Sequence, residues 1–166
     1  MIRVLIWVVM LIGGSLAGLW LDSRLFYDWL INPWFHLISF LAGILVSRLV
    51  INSSRNTGRQ LARLGREGDL PRMQTNKLVT QGHYACMRHP MHLGLMMFPL
   101  AAALLVGSVS FLIFIVPMEI IFMIMMIVLV EEPEAIAKFG DDYHRYREKV
   151  PMFSFRRQCL RALFAG

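Results

Sequence analysis

Met91–Val130 reads MHLGLMMFPLAAALLVGSVSFLIFIVPMEIIFMIMMIVLV and carries one formal charge, Glu119, along its length. A helix needs about 20 apolar residues to cross a bilayer core, so this run is long enough for two crossings joined by a tight turn. Gly107-Ser108-Val109-Ser110 is the only stretch in it with turn chemistry. The expectation is a third span over about 91–106, interrupted by Pro99, and a fourth over about 111–130, where Pro117 can introduce a kink. Upstream, residues 4–21 and 34–51 form two further apolar runs of one-span length. The first is long for a secretory signal and more spans follow it, which favours a retained helix. Between them, Asp22–Pro33 holds Tyr27 and Trp29, with Trp20 and Trp34 at its edges, as expected where amphipathic rings sit at headgroup level. The fold class expected is an all-α integral membrane protein, one domain over residues 1–166. It has four transmembrane helices, a soluble loop over 52–90 and a soluble tail over 131–166 that contains an amphipathic helix.

Composition agrees. The chain is 57% hydrophobic, with a mean hydropathy of +0.55, above the usual range for soluble domains. Its net charge of +6 is local. Arg55, Arg59, Arg63, Arg66, Arg72, Lys77 and Arg88 outweigh Glu67 and Asp69 in the loop, and the tail is also slightly basic. Four spans put loop and tail on one side, and the positive-inside rule makes that side cytoplasmic, together with both termini. No aromatic-studded basic groove is visible, which excludes a nucleic-acid partner. The partner expected from composition is the lipid bilayer. Cys86 and Cys159 show no metal-ligand spacing and suggest no disulfide framework; Cys86 reads as a small packing residue.

Several local patterns refine this. Arg55, Arg59, Arg63 and Arg66 recur at steps of four, four and three, which lines one face of a helix suited to anionic headgroups. Gly65, Gly68 and Pro71 end that helix. Gly14 and Gly18 form a small-xxx-small pair suited to close helix packing, including packing against a second copy in a homodimer. Ile136, Phe139, Tyr143, Tyr146 and Val150 fall on one face of a helix expected over 131–150. Glu119, deep in the last span, can attract an amine, pair with Arg48, or stay protonated between helices.

The chemistry concentrates in Lys77–Gly94, KLVTQGHYACMRHPMHLG, at the mouth of the third span. Polar density there is costly and suggests a ligand. Five histidines are too few for a membrane di-iron site. A single zinc at His89 and His92 has suitable spacing, but no third ligand stands out, so no metal is expected. Cys86 with His83 or His89 lacks an orienting third group for nucleophilic catalysis.

Leu78-Val79-Thr80-x-Gly82-x-Tyr84, then Arg88-His89-Pro90-x-x-x-Gly94, then Glu131-Glu132 form an ordered series. Phe139-Gly140-x-x-Tyr143-x-x-Tyr146 and Val150-Pro151 continue it. The series resembles the isoprenylcysteine carboxyl methyltransferases and, through them, the membrane phospholipid N-methyltransferases. The likeness covers about residues 76–153. It implies a membrane methyltransferase that uses S-adenosylmethionine and acts on a lipid-like acceptor. It places cofactor contacts on Asn76, Lys77, Leu78, Val79, Tyr84, His89, Pro90, Met91, His92 and Glu131, and catalytic residues at Arg88, Glu131 and Glu132. Two positions depart from the family. His92 replaces the tyrosine of His-Pro-x-Tyr, and Ile127 stands where members that methylate carboxylates carry an arginine. A carboxylate acceptor loses its counter-charge there, so an amine or thiol on an apolar molecule is at least as well served. The rival readings are an NADPH-dependent membrane reductase of the sterol reductase type and a non-enzymatic lipid- or partner-binding protein.

Overall fold

The computed structural model describes residues 2–69 and 75–165; Pro71 and Arg72 of the basic loop lie outside the described residues. The described residues are helical and contain no strand. Among the described residues, three helices are long and apolar enough to cross a membrane: Leu5–Leu25, Pro33–Leu64 and Phe111–Phe139. Pro90–Val106 is apolar but shorter, and it divides at Met96 into α5 (Pro90–Leu95) and α6 (Met97–Val106). The ring of Pro99 crowds the carbonyl four residues back, that of Leu95, and supplies no N–H to it. These lengths mark the chain as an integral membrane protein.

The second apolar run does not stop at residue 51. The helix α3 (Pro33–Leu64) continues through Asn52 and includes the arginine-bearing stretch expected to be a separate surface helix. Polar side chains support the backbone where the composition changes. The Ser53 hydroxyl donates to the Val50 carbonyl (2.9 Å) and the Thr57 hydroxyl to that of Ser53 (2.7 Å). The helix ends beside Gly65, as its composition indicates.

Proline also explains the register of the last long helix. Its first turn, Phe111–Ile115, and a later one, Ile127–Glu131, are π-helical, and each ends two residues before a proline, Pro117 and Pro133. A proline cannot donate to the carbonyl one turn earlier, and a wider π turn absorbs that missing bond.

The single amphipathic helix expected over 131–150 is broken. α8 (Glu132–Phe139) and α9 (Asp141–Lys149) meet at Gly140, whose φ of +55° and ψ of −131° no helix continues. The apolar face survives the break, since Tyr143 and Tyr146 are buried. A further helix, α10 (Arg157–Phe164), follows. It carries the other correction. Cys86 and Cys159 are joined in a disulfide with their Cα atoms 6.0 Å apart. The pairing escapes sequence reading because 73 residues separate the two.

The chain resolves into two compact units, Met1–Arg48 with Met96–Ile124, and Leu49–Leu95 with Met125–Gly166. In the first, Ala103, Phe111 and Val116 form a core with Leu11, Leu100 and Ile115 around them. Gly18 lets α1 (Ile2–Leu25) approach Phe111 so closely that an added Cβ would lie 2.8 Å from the Phe111 Cβ. Gly14 faces Ile115 and Glu119 in the same way. The glycine face is therefore taken up within the chain. Asp22 Oδ1 accepts the Ser110 N–H at 2.7 Å and caps the start of the last long helix. Leu5, Val9, Leu16, Ile38 and Leu45 remain exposed, as side chains facing lipid would be.

Candidate functional site

The chemistry-bearing residues all belong to the second unit. Its frame is the C-terminal half of α3. Gln60 holds the glycine turn from both sides, its Nε2 donating to the Gln81 carbonyl (2.5 Å) and its Oε1 accepting the His83 N–H (3.1 Å). Gly82 has a φ of +59° and presses against that amide, a place with no room for a side chain. The four-residue helix α4 (His83–Cys86) starts there. Upstream, the backbone N–H groups of Asn76 and Lys77 both donate to the Gly65 carbonyl, at 2.9 and 3.2 Å. This brings Lys77–Val79 back beside the end of α3.

Arg88 fastens the next segment. Its Nε and Nη2 donate to Glu132 Oε1 at 3.0 and 2.6 Å, and its Nη1 donates to the Val150 carbonyl at 2.6 Å. The backbone N–H groups of Arg88 and His89 donate to the carbonyls of Pro151 and Met152. Tyr146 adds a hydroxyl donation to the Tyr84 carbonyl at 2.5 Å. The His-Pro segment, the start of α8 and the chain after α9 thus form one network. Arg147 Nε lies 3.5 Å from the second oxygen of Glu132.

Beside this network the histidines meet Glu131. His92 Nε2 lies 3.0 Å from Glu131 Oε1, and His89 Nδ1 lies 4.0 Å from Glu131 Oε2. His89 Nε2 is 3.3 Å from Glu132 Oε1. An ionised carboxylate only accepts, so Nε2 carries the hydrogen and Nδ1 is left with its lone pair toward Glu131. Burial and the neighbouring His92 hold His89 below its ordinary pKa, against the pull of the two glutamates, so its imidazole is neutral at pH 7. Burial, with Tyr146 and Glu131 nearby, pushes the Tyr84 phenol well above its ordinary range. Tyr146 moves the same way, mainly through burial. Both phenols therefore act as neutral groups.

A cavity of about 160 Å³ opens here, lined by Lys77, Leu78, Val79, Tyr84, Arg88, His89 and Glu131, and walled by Phe139, Tyr143 and Tyr146. A neighbouring cavity of about 360 Å³ shares Lys77, Leu78 and Val79 and adds Arg63, Arg66 and Gln81. Six of the residues singled out as cofactor contacts thus line one space. Four do not: Asn76, Pro90, Met91 and His92 are outside its lining. Asn76 spends its amide on the backbone of Glu67, in two bonds of 2.8 Å. Glu132 is 3% exposed and engaged by Arg88. Leu61, Thr75 and Ala135 line the cavity but carry no chemical signal that sequence reasoning could use. The aromatic walls, Phe139, Tyr143 and Tyr146, were legible as an amphipathic face and as part of the motif series, without a role toward the cofactor.

The comparisons with known proteins bear on this geometry. Residues 31–142 match the family model described as phospholipid methyltransferase, and these residues include Glu131 and Glu132 together with Arg88, His89 and His92, which contact them. The chain belongs to the phospholipid methyltransferase family. It is also similar to a curated relative, protein-S-isoprenylcysteine O-methyltransferase from Schizosaccharomyces pombe. That likeness is 37% identity over 81 residues, covering 48% of this chain and 34% of the relative. The matched stretch therefore spans about a third of the relative's length. No solved structure matches.

Proposed function

We propose that this chain is an S-adenosylmethionine-dependent membrane methyltransferase acting on a lipid-like or small apolar acceptor. The observation that carries the reading is the cavity in which Lys77, Leu78, Val79, Tyr84 and His89 meet Glu131, residues brought together from both sides of an apolar stretch. Family membership supports the reaction class.

The donor set suits the cofactor. Glu131 is a carboxylate able to accept from ribose hydroxyls or an ammonium group, and Lys77 is a cation able to hold a carboxylate. Leu78, Val79, Phe139 and the tyrosines supply apolar and aromatic walls for an adenine ring. A second cavity shares Lys77, Leu78 and Val79 in its lining. When bound, S-adenosylmethionine supplies a methyl group on a positively charged sulfonium sulfur.

Displacement at such a centre needs little proton transfer, so the protein's part is alignment and exclusion of water. Arg88 and Glu132 serve as positioning residues in this reading. They hold the His-Pro segment, α8 and Val150 in register, while Glu131 and His89 face the cavity. Ile127 is fully buried and brings no positive charge toward the acceptor. The basic loop and tail support a cytoplasmic location for this face, and the apolar stretch Pro90–Val106 supports a fourth crossing.

The test is transfer of a labelled methyl group from the cofactor to a membrane lipid extract by detergent-purified protein. Label in the organic phase is the expected result. Oxidation of NADPH with no methyl transfer would overturn the reading in favour of a reductase.

A further inference from the structure

We propose that His89, His92 and Glu131 form a binding site for a divalent transition ion of the zinc type. Each offers one ligand atom, and these atoms all lie within 4.8 Å of one another. Tetrahedral zinc with nitrogen and oxygen ligands at about 2.0–2.1 Å places its donors about 3.3 Å apart. His92 Nε2 lies 3.0 Å from Glu131 Oε1, close to that value, and His89 Nδ1 lies 4.0 Å from the other oxygen, Oε2. Closing the set on one oxygen turns the carboxylate toward His89 and requires the hydrogen that His92 shares with Glu131 to move to the other ring nitrogen.

Three features set this cluster apart from a chance meeting of polar groups. The first is the tautomer. His89 Nε2 lies 3.3 Å from Glu132 Oε1, and in the tautomer that donates this bond Nδ1 is a ready ligand. A carboxylate behind a coordinating histidine is the usual support for a zinc ligand. Glu132 is itself fixed by Arg88. The second is placement. His89 and His92 are three positions apart, spanning the start of α5, and their rings stand 5.5 Å apart at 72°. The glutamate arrives from the π turn Ile127–Glu131. The third is sequence. His92 occupies the place where the resembling methyltransferases carry a tyrosine, so the second imidazole is a property of this chain.

Two histidines and one carboxylate leave coordination positions open, as in metal sites that engage a further ligand. Borderline-soft imidazole with one carboxylate suits zinc, or cobalt as its spectroscopic substitute, over magnesium or calcium. The open position would take an anionic oxygen or sulfur of the acceptor. The site's net positive charge lies one turn from Ile127, a side chain that carries none. That role toward an acceptor rests on the methyl-transfer reading. The ion site itself does not.

The experiment is titration of the untagged, detergent-purified full chain with Zn²⁺ and with Co²⁺ after chelator treatment, without cofactor. The expected result is one ion per chain and, with Co²⁺, visible absorption bands of a low-coordinate site. His92→Tyr and Glu131→Gln should each weaken binding on the order of a hundredfold. His144→Ala, on an exposed histidine of α9, should leave it unchanged. Affinity for S-adenosylmethionine is measured on the same samples, and His92→Tyr should retain it. If His92→Tyr does not fold, His92→Ala serves the same purpose. Failure of the wild-type chain to bind either ion, or equal binding by the His92 variant, would overturn the proposal. Neither result would disturb the cofactor reading, which fails only if S-adenosylmethionine itself does not bind.

Discussion

Arg88 and Glu132, 44 positions apart in sequence, meet with Nη2 2.6 Å from Oε1, and both side chains are less than a tenth exposed. Removing one partner leaves the other charge buried and unpaired, which costs about 3 kcal/mol or more. Glu132→Gln should therefore lower stability by about that much in denaturant titrations of the detergent-solubilised chain. Replacing both, as in Arg88→Met with Glu132→Leu, should cost less than the two single changes added together. Additive losses would show that the pair does not act as a unit.

The tyrosine beneath the site is a smaller lever. Tyr146 donates its hydroxyl to the Tyr84 carbonyl at 2.5 Å, with both residues buried. Tyr146→Phe keeps the ring and removes one buried hydrogen bond, with an expected loss of about 1 kcal/mol. Because Tyr84 and Tyr146 both line the cavity, the variant should also bind S-adenosylmethionine more weakly. Equilibrium binding and a melting curve on the same sample check the two effects.

Gly94 tests the packing of α5. A Cβ there would fall on the Ser53 side chain, 2.6 Å from its Cβ. Gly94→Ala should destabilise the chain by about 1–3 kcal/mol through overpacking. Ser53→Gly in the same chain should restore much of the loss, because it removes the atoms that are struck. No rescue would mean that the two helices do not approach as described.

The Cys86–Cys159 bond closes a loop of 73 residues in sequence and ties α4 to α10. The far end of α10 is held separately, by Asn52 and Asn56 amides that donate to the carbonyls of Phe164 and Leu163. Loop-closure entropy makes the bond worth about 4 kcal/mol. Reduction should lower the unfolding midpoint accordingly, and alkylation of unreduced, unfolded protein should label neither cysteine. Labelling of both would contradict the pairing.

Much of this architecture was legible in the residues. The places of the three long apolar helices follow from the apolar runs, though not their full lengths, and the helix end at Gly65 follows from its composition. The ordered motifs from Leu78 to Val150 led to the family and to six of the residues that line the cavity. What was not legible has physical causes. Helix continuity through Asn52 is not marked by hydropathy, because the helical backbone carries on where the side chains change from apolar to polar. π turns before Pro117 and Pro133 have no sequence signature beyond the prolines. The third potential metal ligand, Glu131, is 39 positions from His92, so the spacing of the histidines alone could not show it. The bonds of Asn76 to the Glu67 backbone and of Glu132 to Arg88 join residues that no motif spacing pairs.

The most direct measurement is equilibrium titration of the purified chain with S-adenosylmethionine, repeated on Glu131→Ala. The account predicts saturable binding by the wild-type chain and its loss in the variant, with the variant still inserted and folded. Undiminished affinity in Glu131→Ala, or binding of NADPH in place of S-adenosylmethionine by the wild-type chain, would contradict it.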